Sequence, residues 1–543
     1  WIMDGKSGIY PQQPNAPLLE TTPNHLHPGD FYLGTGSLAN AKQLIGEGYS
    51  PIVADDVIAE PYAVGKKFTS RPDDKYNKVT IESLTGDLKL YDGRMNHNNG
   101  WFVLRSEIQP GATKGAVKWI ITPHVEKEWM YKPVVQTSQI GYHTNQPKEV
   151  VIERDIRDER NLPVELLRID ADETRVVKNL PTEEWGKFLR YNYLKADFTD
   201  VVEEGLYQVR YGESLSPIFR IAGDVFDRGV WQPVIEYFLP VQMCHMRVNE
   251  KYRVWHDRCH MDDAQMAPAH NHIDGYDQKP GLSKFNPGEI VHGVNIGGWH
   301  DAGDFDLRIE SQAGEAYILS LAYESFKPEI DVTAIDQINR VTEIHEADGK
   351  NDMLQQIENG ALTVVNSYLA LGRLYRGIIC NGLRQYVLLG DAASMTDGII
   401  GNKDDRWIYT ENNPSREMST AAQLAATSRT LKGFNDTLST HCLNIAKQIF
   451  ETTEESPRLV MTKVHAAAEL YLTTQDDLYK DYILKNQETI INQIGSSAWY
   501  LARVEKQFAE MKDRKAKAFS KAFRKALPQC KELLDKQVAE TPY

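Results

Sequence analysis

Hydrophobic and polar positions change rhythm once along the chain. In its first part, apolar residues come in short runs between turn signals. Runs at 78–81, 88–91, 101–108 and 116–121 are separated by clusters such as Asn96-His97-Asn98-Asn99-Gly100 and Gln109-Pro110-Gly111. This predicts a β-rich module of unassigned role over residues 1–132. Cleaner runs at 134–137, 150–153, 164–169, 205–211 and 217–222 predict a β-sandwich over residues 133–225. From Val230 onward, apolar residues recur at helical spacing, at 313–325, 353–375, 419–431, 438–451, 460–472, 478–494 and 498–511. The stretch 512–538 is basic and rich in Ala and Lys, which predicts a solvated amphipathic helix. The fold class is therefore multidomain β plus all-α, with a helical domain over residues 226–543.

Composition narrows the classes of partner. The 543 residues are 41% hydrophobic and 25% charged, a globular balance. The net charge of −15 argues against a nucleic-acid or anionic-membrane footprint, since both need a basic surface. No apolar run reaches the roughly 18–20 residues of a membrane-spanning helix. Five cysteines are too few and too scattered for a disulfide framework. The opening Trp1-Ile2-Met3-Asp4 has no basic-then-apolar leader, so it gives no reading of compartment. The 26 Tyr and 10 Trp suit sugar stacking and core filling equally well.

The densest chemistry lies between Cys244 and Asp306. In Gly297-Gly298-Trp299-His300-Asp301-Ala302-Gly303-Asp304, two carboxylates flank Ala-Gly just ahead of a predicted helix. Glycines permit a tight backbone, and nearby helix N–H groups favour the charged carboxylates. An Asp-x-x-Asp pair alone also reads as a cap or turn. Cys244, Cys259, His260 and His300 make a complete tetrahedral zinc set with no open position, the structural type. The alternatives are buried thiols or a disulfide, and His245, His256, His270, His272 and His292 are rival ligands. The segment 264–295 reads as an inserted loop bordering a cleft. Trp299, Arg308 and Trp407 are the candidates for ligand contact. Arg308 suits an ordinary ion pair as well as a hydroxyl reader. Trp407, in a predicted loop between helices, suits a core cap as well as a sugar platform. No P-loop, dinucleotide fingerprint or His-Glu-x-x-His occurs.

The octapeptide resembles the catalytic-base motif of family 9 glycoside hydrolases. Gln139-Ile140-Gly141-Tyr142 resembles the first strand of the immunoglobulin-like module that precedes many of their catalytic domains. Tyr237-Phe238-Leu239-Pro240 and Asn351-Asp352-Met353-Leu354 resemble helix starts of their (α/α)6 toroid. The resemblance covers residues 133–543. It implies an inverting, cellulase-like hydrolase of β-linked glucan or a related plant polysaccharide, in which a base and an acid stand about 6.5–9.5 Å apart around a water. By motif position Asp304 is the base, and Asp301 helps hold the water. It also implies structural zinc on the Cys/His set, allows calcium (for which no ligand-spaced loop occurs), and suggests a secreted or periplasmic location. The family's acid is a Glu near the far end of the toroid. Here Glu540-Thr541-Pro542-Tyr543 reads like mid-domain sequence, so that acid is expected beyond residue 543, with the toroid incomplete and the chain alone inactive or nearly so. The competing readings are a non-catalytic or degenerate carbohydrate-binding protein and a zinc-dependent hydrolase. Oligomeric state is not legible.

Overall fold

The computed structural model describes residues 2–3, 61, 63–93, 101–269, 272–273, 276–301, 305–380, 399–400 and 405–543. Contacts divide the chain into two units. One joins Trp1–Val125 with Glu236–Asn486, and the other joins Glu126–Ile235 with Gln487–Tyr543. The expected turn at 96–100 lies outside the described residues.

In the first unit the N-terminal strands form two small sheets. One runs Ile2–Met3, Lys67–Ser70, Val79–Ser83, Trp119–Pro123, and the other Ala63–Gly65, Leu88–Gly93, Trp101–Arg105. Phe68, Leu88 and Leu90 make a small core.

The helices of this unit are α1 (Leu239–Gln242), α2 (Ile309–Phe326), α3 (Asp352–Leu371), α4 (Pro414–Leu431), α5 (Asp436–Thr452), α6 (Val460–Thr474) and α7 (Asp477–Lys485). Their starts follow from capping chemistry. The Asn351 side chain accepts from the Met353 and Leu354 amides, Asn413 from Arg416 with Pro414 at the first helical position, and Asn435 from Leu438. The helix expected over 353–375 stops at Leu371, because Gly372 takes the left-handed conformation (φ +77°). The chain then forms the strand Tyr375–Cys380. Helices α2, α4 and α6 pack side by side as one layer, and α3, α5 and α7 back them as hairpin partners. Small residues permit the close approach: Ala313 and Ala316, Ala421, Ala422, Ala425 and Ala426, and Ala466–Ala468 are all buried.

The second unit holds two facing sheets. One orders Thr182–Phe188, Tyr191–Asp197, Glu149–Asp155 and Val134–Gln136. The other orders Thr174–Leu180, Val164–Ile169 and Gly205–Tyr211, which also pairs with Ser214–Leu215 and Phe219–Ile221. Period-2 alternation sends Tyr207, Val209 and Tyr211 inward against Ile152, Leu166 and Leu194. The segment expected to open the sandwich, Gln139–Tyr142, is a bend. Gly141 sits at φ +102°, and Tyr142 bridges Ile221 and donates its hydroxyl to the Glu149 carbonyl at 2.9 Å. Helices α8 (Gln487–Asn492), α9 (Ile494–Glu510) and α10 (Arg514–Ala539) belong to the same unit. The basic helix expected over 512–538 is thus present. It buries Phe519 and Phe523 near Phe508 and exposes its lysine-rich face. No helix among the described residues is long and apolar enough to cross a membrane.

Candidate functional site

The segment from Gly297 to Asp301 is pinned from three sides. Gly297 (φ +68°) and Gly298 (φ +85°) let the backbone press against α3, where a Cβ on Gly297 would stand 2.4 Å from the Asn359 carbonyl. The Gly298 amide donates to that carbonyl at 3.0 Å, and Asn359 Nδ2 donates back to the Gly298 carbonyl at 3.0 Å. Gln312 of α2 brackets Trp299, accepting from its amide at 2.8 Å and donating to its carbonyl at 2.9 Å. The His300 amide donates to the Gln242 carbonyl of α1 at 2.9 Å.

Trp299 is therefore a packing residue here. It is 2% exposed, its indole N–H donates to Gln356 Oε1 at 2.8 Å, and its ring abuts Gly360. It presents no free face to a sugar, contrary to the expectation of ligand contact.

His300 faces inward and Asp301 faces solvent. Asp304, the expected base, lies outside the described residues with Ala302 and Gly303. The loop resumes at Phe305 in the left-handed region (φ +55°), a strain of about 1 kcal/mol for a non-glycine residue. Asp306 is buried beneath Asp301. It accepts from the Tyr276 hydroxyl at 2.5 Å and from Arg308 Nε at 2.6 Å. Arg308 Nε also lies 3.5 Å from Asp301 Oδ2, so the ion-pair reading of Arg308 is the one seen. Burial pushes the Asp301 carboxyl up, the Asp306 charge adds to this, and Arg308 offsets part of it. On the next helix, α2, burial pushes the Glu315 carboxyl up to about 7, with the Asp301 charge adding. Nothing in its sequence spacing marks Glu315.

Trp407 is half-buried in the strand Arg406–Thr410, where a loop was expected. This strand pairs antiparallel with Tyr375–Cys380 and parallel with Gln265–Met266, so the inserted segment 264–295 is tied into a sheet.

Cys244, Cys259, His260 and His300 converge, their donor atoms all within 4.8 Å of one another and every residue buried. Cys244 Sγ lies 3.9 Å from Cys259 Sγ and 3.7 Å from His260 Nδ1, and Cys259 Sγ lies 3.5 Å from His300 Nε2. A tetrahedral ion with metal–sulfur bonds of about 2.3 Å and metal–nitrogen bonds of about 2.05 Å spaces sulfurs by about 3.8 Å and sulfur from nitrogen by about 3.6 Å. The donor spacing fits such an ion. Burial pushes the His260 imidazole down to about 4, with the Arg406 charge adding, so it stands in the neutral form that ligates metals. Burial alone would raise the Cys244 thiol, but the hydrogen bond from Cys259 and the Arg406 charge reverse this and hold it well below the usual thiol range.

The rival histidines are engaged elsewhere or are exposed. His245 contacts the Gly297 carbonyl and Asp263, His256 contacts the carbonyls of Val241 and Asp257, and His292 is exposed. His270 and the side chain of His272 lie outside the described residues. Among the described residues, no second group of three or more such ligands forms that would suit calcium.

Sequence reasoning missed Gln312, Gln356 and Asn359, the polar residues that hold the loop. Their only signal was their position on helix faces that are otherwise apolar. It also missed Tyr276, Asp306 and Arg406.

The chain is similar to known proteins in sequence and fold. Residues 235–536 match the family model described as glycosyl hydrolase family 9. Endoglucanase D of Acetivibrio thermocellus is 23% identical over 216 residues, 39% of this chain and 30% of that protein. The chain thus spans under a third of the length of the curated relatives it matches. A solved structure named Bacteroides ovatus GH9 superposes with a TM-score of 0.52 at 16% identity, covering 75% of this chain and 74% of that one. A metagenome-derived glycoside hydrolase family 9 endoglucanase gives 0.48 at 20% identity, covering 66% and 64%.

Proposed function

The chain belongs to glycosyl hydrolase family 9, and from that membership we propose that its acidic loop serves inverting hydrolysis of β-linked glucan or a related plant polysaccharide. In this reading Asp304 is the general base that takes the proton of the attacking water. Asp301 helps hold that water, and the leaving oxygen is protonated by a Glu that the family carries near the far end of its toroid. The observation that supports it is Asp301 itself: a solvent-facing carboxylate on a loop whose preceding residues are held by hydrogen bonds to α1, α2 and α3. Burial and the Asp306 charge raise its pKa.

The fold reading is that residues 133–225 form an immunoglobulin-like module, residues 226–543 contribute to an (α/α)6 toroid, and residues 1–132 form a β-rich module of unassigned role. Secretion or a periplasmic location follows from the polymeric substrate. Zinc suits the Cys/His cluster, and when bound it would act as a structural tether. Four protein donors leave no position for a reactive water, which disfavours a zinc hydrolase.

The test is reducing-sugar release from soluble β-1,4-glucan by the full-length protein, with anomer analysis of the first products. The expected result is an inverted product and a rate lowered about 10²- to 10⁴-fold in Asp304→Asn, the scale on which removing an acid–base group acts. Binding of the same glucan with no turnover in either form would establish the degenerate carbohydrate-binding reading instead.

A further inference from the structure

Arg406 lies about a hundred residues after the acidic loop, yet it touches both ends of the local machinery. It is 0% exposed. Its Nη2 donates to Cys244 Sγ at 3.2 Å, and its Nη1 donates to the Phe305 carbonyl at 2.6 Å. Its Nε donates to Asp263 Oδ2 at 2.8 Å, and Nη2 reaches the same carboxylate. His245, whose Nε2 is 3.1 Å from Asp263 and whose Nδ1 is 3.0 Å from the Gly297 carbonyl, closes the network on the near side of the loop.

We infer that Arg406 is a positioning residue that couples the Cys/His metal cluster to the exit of the acidic loop, one guanidinium holding a ligand sulfur and the Phe305 carbonyl at once. Three geometric facts carry this. The guanidinium sits outside the four-donor set, so it acts on the metal only through Cys244. Phe305 holds a left-handed backbone whose carbonyl direction is fixed by this contact, one residue after the Asp301–Asp304 segment. Phe305 also lays its ring against His260 and His300, at centroid distances of 5.3 and 5.1 Å, so the same residue meets the cluster by its side chain and Arg406 by its backbone. A lysine does not substitute, because its three N–H bonds radiate from one nitrogen, whereas the contacts here come from three nitrogens of a planar fork. Asp263 offsets the buried positive charge and fixes the plane of the fork.

This inference rests on the metal reading, and the experiment separates the two. Zinc content and chelator competition are measured for the wild-type protein, then for Arg406→Lys and the milder Asp263→Asn. Each is also loaded with cobalt(II) for its thiolate charge-transfer band, and the metal-bound forms are followed by hydrogen exchange over residues 300–306. Arg406→Lys is expected to lose 10- to 100-fold in metal affinity, the usual range for partners behind the ligands, roughly. Its cobalt band should shift, and exchange at 305–306 should quicken. Asp263→Asn should show the same changes, smaller. A merely structural role lowers thermal stability but leaves the cobalt band and affinity where they were. That outcome in either variant that folds overturns the coupling. A wild-type protein that takes up neither zinc nor cobalt overturns the metal reading, and the coupling with it.

Discussion

Glu315 shows how much a single side chain can reveal. It is partly buried on α2, with its carboxyl raised from 4.5 to about 7 by desolvation and by the Asp301 charge. A carboxyl with a raised folded pKa binds more protons folded than unfolded between those two values. Stability therefore falls as pH rises from about 4.5 to 7 and is flat above. Glu315→Gln removes the ionising group, so the variant should gain about 1–2 kcal/mol over the parent at pH 8, after discounting for partial solvent screening, and nothing at pH 4.5. Urea denaturation at the two pH values reads this directly. Equal differences at both would show that Glu315 is ordinarily solvated. Part of the shift comes from the Asp301 charge, so the measurement also reports the coupling between these two carboxyls.

At the scale of elements, the loop is placed by the helices it leans on. A Cβ on Gly360 of α3 would lie 2.4 Å from the Trp299 ring, which is itself held by Gln356 and Gln312. Gly360→Ala therefore forces the indole aside. It should destabilise by about 1–3 kcal/mol despite alanine's better helix propensity, and in the full-length protein should slow the proposed hydrolysis by displacing His300 and Asp301. A stabilised, fully active Gly360→Ala would show that the ring has room to move.

Much of this element level was legible beforehand. Asn351 announced a helix start, and two thiols with two imidazoles announced the Cys244, Cys259, His260 and His300 cluster; Asn413 and Asn435 cap helices that begin earlier than the periodicity at 419 and 438 suggested. The strands Tyr375–Cys380 and Arg406–Thr410 were not legible. Nearly every position in them is buried on both faces, so period-2 alternation is absent, and Tyr375 continued an apolar helical run across Gly372. Trp299 misled for a related reason. Aromatic identity does not say which face a residue takes, and only the bare α-carbon of Gly360, 61 positions later in the chain, makes room for it. Arg406 and Asp263 meet across 143 residues, a pairing set by sheet register that no local pattern encodes.

At the scale of the whole molecule, the division into two units decides what metal removal should do. Every donor of the Cys/His cluster lies in the unit that contains α2–α7, and the sandwich with α8–α10 contributes none. A chain of two compact units need not unfold in one step. Binding energy at a closed structural site is folding energy for the unit that holds it. Stripping the metal with a chelator should therefore lower one calorimetric transition by several degrees or more and leave the other unmoved. Zinc added back should restore the shifted transition, with restoration complete near one equivalent per chain. The unit with the larger buried helical core should be the one that moves, and limited proteolysis during the scan would identify it from the fragments that survive. If both transitions fell together, the cluster's stabilisation would extend past its own unit. If neither moved, the four donors would be a buried thiol–imidazole cluster whose packing, without any ion, suffices to hold Asp301 toward solvent.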